Sequence, residues 1–238
     1  MSTNCIFIFL ENLASGLYDT RDITRLQTDD AYAGCFIRHV MNDVSAAVSL
    51  THTSLKWRKE MEINDLSETS FPRWVHDLSA MYYHNVDKEG RPVLIFHVAR
   101  CKKDAEKHRL QKQYIAWIFE KHFLRHPDER VVVCFDMTGA GITNMDVELI
   151  KFQVTCFTTY YPSFLAYMLV FDMPWILNTI WRVIRTLLNE AQQKAVIFVK
   201  GDEIFSYIDR DQLLKTMGGT VGVATVYWGK GNESVVPK

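Results

Sequence analysis

From about residue 80 the chain alternates short apolar runs with longer stretches of helical period. The runs Val93-Leu94-Ile95-Phe96-His97-Val98, 130–136, 167–171 and 195–199 are five to seven residues long and bounded by turn formers. That length and context predict strands covered on both faces. Asp87-Lys88-Glu89-Gly90-Arg91-Pro92 reads as a turn between the Met81-Tyr82-Tyr83 segment and the first run, which marks a hairpin or a strand start. Helices are expected over 105–125, 145–158 and 202–216, the last stopped by Gly218-Gly219. Alternating strands and helices predict an α/β fold with a mostly parallel sheet and helical crossovers.

Ahead of this lies a helical stretch. Thr28-Asp29-Asp30 suits a cap before Tyr32, Cys35, Phe36 and Val40, and Asn42-Asp43 a cap before a helix carrying Val44, Ala47, Val48, Leu55 and Trp57. That helix ends on Lys56, Arg58 and Lys59, favourable against its dipole. Turn formers crowd 62–72 and mark a boundary. The expected division is a tail at 1–19, a helical part at 20–76, the sheet-bearing domain at 77–222 and a tail at 223–238, where Thr220 to Trp228 could add a strand.

The segment 174–189 reads as a proline-started helix with an unusually wide apolar face. Asp172 and Pro174 suit its start, and Leu177, Ile180, Trp181, Ile184, Leu187 and Leu188 recur at i, i+3, i+4, i+7, i+10 and i+11. Trp175 and Ile176 widen the stripe beyond what one core contact requires. Such a helix needs two apolar neighbours, or one neighbour and an exposure that is useful.

Composition narrows the classes. At 238 residues, 48% hydrophobic and 23% charged, the chain can bury a full core. A net charge of −1 with a pI near 6.7 provides no global field for nucleic acid. The five cysteines, Cys5, Cys35, Cys101, Cys134 and Cys156, have no metal or redox spacing and point to a reducing compartment. Cys5 to Leu10 is too short for a signal peptide and reads as an anchoring strand or a tail. No stretch has the roughly 18 apolar residues of a membrane span. Asn232-Glu233-Ser234 matches a glycosylation sequon with no secretory context.

Candidate chemistry is thin. The chain has no P-loop, H-E-x-x-H, G-x-S-x-G or C-x-x-C. Gly139-Ala140-Gly141 has Asn144 where a dinucleotide fingerprint needs its third glycine, and reads as a strand-to-helix turn. His97 is either an acid–base group facing a cavity or a hydrogen-bonded core histidine. Asp136 and Asp172 sit at strand ends, where α/β folds place ligands, or else cap the next helices. Lys102, Lys103, Lys107, Arg109 and Lys112 form a solvated basic face that could touch anionic lipid.

The order of the pieces resembles a known family. Asp136-Met137-Thr138-Gly139, Tyr160-Tyr161-Pro162, Met173-Pro174-Trp175 and Met217-Gly218-Gly219, behind a helical N-terminus, resemble the CRAL-TRIO lipid-binding domains over roughly 20–220. Trp57-Arg58-Lys59-Glu60, Asn64-Asp65-Leu66, Pro72-Arg73-Trp74, Asp87-Lys88-Glu89-Gly90 and Phe171-Asp172-Met173-Pro174-Trp175 look most similar to the CRAL-TRIO domain of motile-sperm-domain-containing proteins. The resemblance implies an apolar cavity holding one lipid between the sheet and a mobile gate helix, 174–189. No catalytic group, metal or cofactor is implied; the bound lipid is the ligand. The expected lining is Phe96, Phe135, Phe152, Tyr160, Leu169, Phe171, Ile180 and Ile184, with Lys194 near the head group. The expected gate and membrane residues are Trp175, Ile176, Trp181, Arg182, Arg185 and Leu188. Phosphatidylinositol-binding members carry an acidic residue after Tyr-Tyr-Pro, where this chain has Ser163, and the usual Leu-Pro before the glycine pair is Leu214-Lys215-Thr216 here. The expected role is non-enzymatic lipid binding, with transfer or presentation at cytosolic faces of endomembranes and contact sites. Partners are then a lipid and a peripheral membrane surface, without nucleic acid. The alternative is an interaction module whose apolar helix docks a partner protein.

Overall fold

The computed structural model describes residues 16–186 and 188–222. The apolar run 5–10, Leu187, the tail beyond 222 and the sequon at 232–234 lie outside the described residues. The described chain divides into two compact units.

The first unit comprises the chain up to Phe71 with 109–129 and 152–164. Helix α1 (Thr20–Thr28) begins at Asp19 and α2 (Asp30–His39) at Asp29, whose carboxylate accepts from Tyr32 N. Asp43 likewise caps α3 (Val44–Glu60) through Ala46 N. The charge at the end of α3 is used differently from the expected dipole role. Arg58 is fully buried; its guanidinium donates to Asp22, to both oxygens of Glu120 and to Asn64. An aromatic core supplies the apolar side. Tyr161 is buried against Phe119 and Phe123 at ring distances of 5.3 Å, and its hydroxyl donates to Ala116 O.

The second unit comprises 72–108, 130–151 and 165 onward. It opens with the short helix α4 (Arg73–Asp77). Its sheet runs β1 (Met81–Val86), β2 (Pro92–His97), β3 (Val131–Asp136), β4 (Leu165–Phe171), β5 (Val196–Val199), in that spatial order. β1 and β2 form the expected hairpin and the remaining pairs are parallel. The hairpin turn is held by Asp87, which accepts from Glu89 N, Arg91 N, the Arg91 guanidinium and the Tyr167 hydroxyl. Between the parallel strands the chain runs through α5 (His108–Phe123), which from residue 109 belongs to the first unit, through α6 (Val147–Thr155), which from residue 152 belongs there too, and through the pair α7 (Asn178–Arg185) and α8 (Glu190–Lys194).

Period-2 alternation splits the sheet residues between two faces. Val93, Ile95, Val132, Cys134, Leu169, Phe171 and Val199 form one cluster with Ile204, Ile208, Leu213, Leu214 and Met217. Three of the expected helices need correction. The stretch 202–216 is not a helix but a series of 3-10 turns, Gly201–Ser206, Arg210–Gln212 and Lys215–Met217. A helix would offer one narrow stripe, whereas this segment has to spread its apolar residues over a broad sheet face. α6 starts two residues late, because Asp146 accepts from Glu148 N and Leu149 N, and it ends in a π-helical turn, Cys156–Tyr160. The helix expected to reach 189 stops at Arg185. Asn189 caps α8 through Gln192 N, and the Gln193 side chain donates to Arg185 O and Leu188 O, satisfying carbonyls that a longer helix would use.

Candidate functional site

The sheet face opposite the C-terminal turns builds the candidate site within the second unit. Phe96 and Phe135, one residue off the residues that pack under the turns, stack with ring centroids 5.3 Å apart. Val98, Met137, Ala140, Val170 and Leu177 form a second buried cluster, on which Phe135, Met145, Met173, Ile180 and Val196 pack. The chain after β4 supplies the cover. Asp172 sits at φ 48°, Pro174 is extended, and Trp175–Leu177 makes a 3-10 turn that drives Leu177 into the cluster.

α7 then lies over the strands without sinking between them. Trp181 meets Phe198 of β5 edge-on at 4.9 Å, and Ile180 rests on the Leu177 cluster. None of its eight residues is fully buried. Trp175 is 81% exposed and Ile176 44%. Beyond Arg185 an open cleft of about 510 Å³ is lined by Arg182, Arg185, Thr186, Glu190 and Gln193.

The expected lining residues separate by location. Phe96, Phe135 and Ile180 come to this face, and Ile184 is half-buried on α7. Leu169 and Phe171, expected beside Phe135, point to the other face, since β4 alternates and Val170 takes the near side. Phe152 and Tyr160 belong to the first unit, where Tyr160 stacks on Trp57 at 3.9 Å. Lys194 is exposed near the end of α8, Arg182 and Arg185 are exposed, and Leu188 is half-exposed. The sequence reading passed over Val170, Met173, Leu177 and Val196. Strand alternation could have found the first and last of these; Met173 and Leu177 depend on the turn at Asp172.

The polar candidates are structural. His97 is buried between the Tyr82 hydroxyl on Nε2 and the Asp136 carboxylate on Nδ1, each at 2.8 Å. Register explains this: His97 lies directly opposite Asp136, and diagonal to Tyr82 across the hairpin. Burial alone would push Asp136 up, but hydrogen bonds from His97 and Thr138 outweigh it and hold the carboxyl below its ordinary range. Asp136 thus holds a turn and a histidine instead of capping a helix. Asp172 likewise accepts from Gly201 N, tying the end of β4 to the chain after β5. Of the Gly139-Ala140-Gly141 turn, only Gly139, at φ 70°, needs glycine.

This arrangement of a five-stranded sheet with an unburied helix laid over one face agrees with the comparisons. The family profile for the CRAL/TRIO domain matches residues 77–219. The chain belongs to the CRAL/TRIO domain family. A CRAL-TRIO domain-containing protein of Schizosaccharomyces pombe is 26% identical over 196 residues, covering 77% of this chain and 44% of that protein. The phosphatidylinositol transfer protein CSR1 of Eremothecium gossypii is 26% identical over 202 residues, covering 77% of this chain and 45% of its own length. The chain thus spans under half the length of these curated relatives. The crystal structure of Sfh5 shares the fold, with a TM-score of 0.62 at 15% identity, covering 87% of this chain and 81% of that one. Among the described residues no helix is long and apolar enough to cross a membrane.

Proposed function

We propose that this CRAL/TRIO protein is a non-enzymatic carrier of a single hydrophobic lipid, transferring or presenting it at cytosolic faces of endomembranes and at contact sites, with residues 174–189 as the gate. One observation carries the reading: α7 bears Ile180, Trp181 and Ile184 on one face, yet buries none of its residues. A permanent wall of the core would be sunk and its apolar stripe covered. A lid that must lift is held by partial contacts. The name of the Eremothecium gossypii relative supports transfer as the activity. Taking a sixteen-carbon tail into water costs roughly 12 kcal/mol at about 0.8 kcal/mol per CH₂, so a gate of this kind has to open against a bilayer.

The head group is less favourable for phosphatidylinositol. Ser163 replaces the acidic residue of members that bind that lipid. Its hydroxyl donates to Cys35 O, and its N–H donates to His39 Nδ1. The short motifs through Trp57 to Glu60 and Phe171 to Trp175 favour kinship with the motile-sperm-domain branch of the family.

The test is native mass spectrometry of the protein isolated from its own cells, followed by delipidation and exposure to liposomes. A bound lipid that is regained after stripping is the expected result. Clean, lipid-free protein that ignores liposomes refutes the carrier reading. The exposure of Trp175 and Ile176 favours one second reading, a helix that docks a partner protein. In that case Trp181→Asp abolishes partner capture while lipid content stays the same.

A further inference from the structure

The two ends of α7 are held by different means. At its start Leu177 is 1% exposed within the buried cluster, and Ile180 rests on that cluster. Past Trp181 the apolar hold gives out. Val183 is 50% exposed, Ile184 is half-buried, and Arg182, Arg185 and Thr186 are exposed. Even the ring that Trp181 meets, Phe198, is 41% exposed. This end is fastened by polar bonds from one side chain. Gln193 of α8 accepts from Arg185 Nε at 2.9 Å through Oε1, and donates through Nε2 to Arg185 O at 3.2 Å and to Leu188 O at 2.9 Å. A single amide thus spends its acceptor and both its donors on the end of α7 and the residues just after it.

α8 is a firm post for that tie. Its start is closed by a reciprocal pair, Asn189 N to Gln192 Oε1 and Gln192 N to Asn189 Oδ1, both at 2.9 Å. Its other end runs directly into the sheet, where Met168 N of β4 donates to Ala195 O. The neighbouring glutamines therefore do different work: Gln192 closes α8 on itself, and Gln193 reaches back to α7. Of the two gate arginines, Arg182 stays within α7, donating to Thr179 Oγ1, and Arg185 crosses to α8. Hydrogen bonds at a wet surface suit a fastening that has to open, because water replaces each partner as it leaves. A buried apolar contact in the same place would hold α7 down.

We propose that Gln193 is the latch of the gate, a positioning residue that pins the end of α7 to a helix registered in the sheet, and that the breaking of its three hydrogen bonds limits the rate at which lipid enters and leaves. The proposal rests on the carrier reading, in which α7 lifts. A latch made only in the closed state steadies the loaded and the empty closed forms alike. It therefore sets how often the gate opens and leaves the balance between bound and free lipid unchanged.

The experiment mixes the full chain, carrying the lipid it is purified with, with vesicles of a deuterated total lipid extract of the same cells. Native mass spectrometry follows replacement of the bound lipid over time, with the loaded fraction and the unfolding midpoint measured on the same samples. Gln193→Ala removes all three bonds and should speed replacement about tenfold while loading and midpoint hold. Gln193→Glu keeps an acceptor for Arg185 Nε and loses both donors, so its rate should fall between those of the parent and Gln193→Ala. Gln192→Ala weakens the α8 cap without touching the tie to α7, and should exchange like the parent. Amide hydrogen exchange over 178–186 should quicken in Gln193→Ala while that of β4 does not change. A parent that replaces its lipid no more slowly than Gln193→Ala overturns the latch and leaves the carrier reading standing. Equal acceleration in Gln192→Ala, or a midpoint that falls along with faster exchange, makes Gln193 a brace of α8 and overturns the latch as well. A parent that holds no lipid and takes none from the vesicles overturns both readings.

Discussion

Arg58 is the position where one substitution should cost the most. It is fully buried, and its guanidinium makes four hydrogen bonds of 2.7–3.1 Å, to Asp22, to both oxygens of Glu120 and to Asn64. Asp22 is itself buried, with its second carboxylate oxygen unpartnered, and Glu120 is 8% exposed. Arg58→Ala therefore strands two carboxylates in the interior. Breaking a buried pair from one side costs about 3–5 kcal/mol, against a total stability of about 5–15 kcal/mol. Arg58→Lys keeps the charge but loses the fork that spans Glu120, so it should cost about 1–2 kcal/mol. Burial already pushes the Asp22 carboxyl up against the pull of Arg58, so without that cation it should take up a proton readily. The loss in Arg58→Ala should thus be greatest near neutral pH and ease in mild acid. Replacing all three charges, Arg58→Met with Asp22→Asn and Glu120→Gln, should recover most of the stability. Equilibrium urea unfolding followed by tryptophan fluorescence measures each value. An Arg58→Ala midpoint close to the parent's, with an unchanged slope, would show that water reaches the cluster and that this reasoning is wrong.

Other expectations concern the gate edge, pH and the C-terminal turns. Trp175→Ala should leave the unfolding midpoint unchanged, since the ring is 81% exposed, and lower vesicle flotation about tenfold or more. Asp136 and Asp146 have lowered folded pKa values, so their contribution to stability is complete above about pH 4 and is lost as pH falls through those values; a urea series from neutral to acid pH should show that slope, and Asp136→Asn should flatten it. The two glycines of the Met217-Gly218-Gly219 motif do different work. Gly218 holds φ 84°, while a Cβ on Gly219 would lie 2.1 Å from Leu213 O. Gly219→Ala should therefore destabilise by about 1–3 kcal/mol, seen in thermal melts, because backbone rather than a flexible side chain has to move.

The strands were legible because their signal is local. An apolar run between turn formers reads as a buried strand whatever packs on it, and the Asp87 turn and the Asp29 and Asp43 caps act within a few residues of themselves. The apolar excess of 174–189 was legible for the same reason: it follows from helical spacing alone. Assignments that depended on a distant partner were not visible. Asp172 looked like a helix cap and instead accepts from Gly201 N, 29 residues away. Arg58 looked like a dipole partner and became the centre of a buried ion cluster. Leu169 and Phe171 were expected to line the same cavity as Phe135, and alternation along β4 turns them to the other face.

By itself the sequence determined the fold class, the strand-by-strand order and the presence of one helix too apolar for its surroundings. Those follow from period, length and turn chemistry, which act over a few residues. Only the tertiary structure decided which sheet face is covered by the turns after Val199, and that α7 is laid over the other face without being buried. Both depend on which side chains meet across long separations, and that is set by register and packing rather than by any local preference.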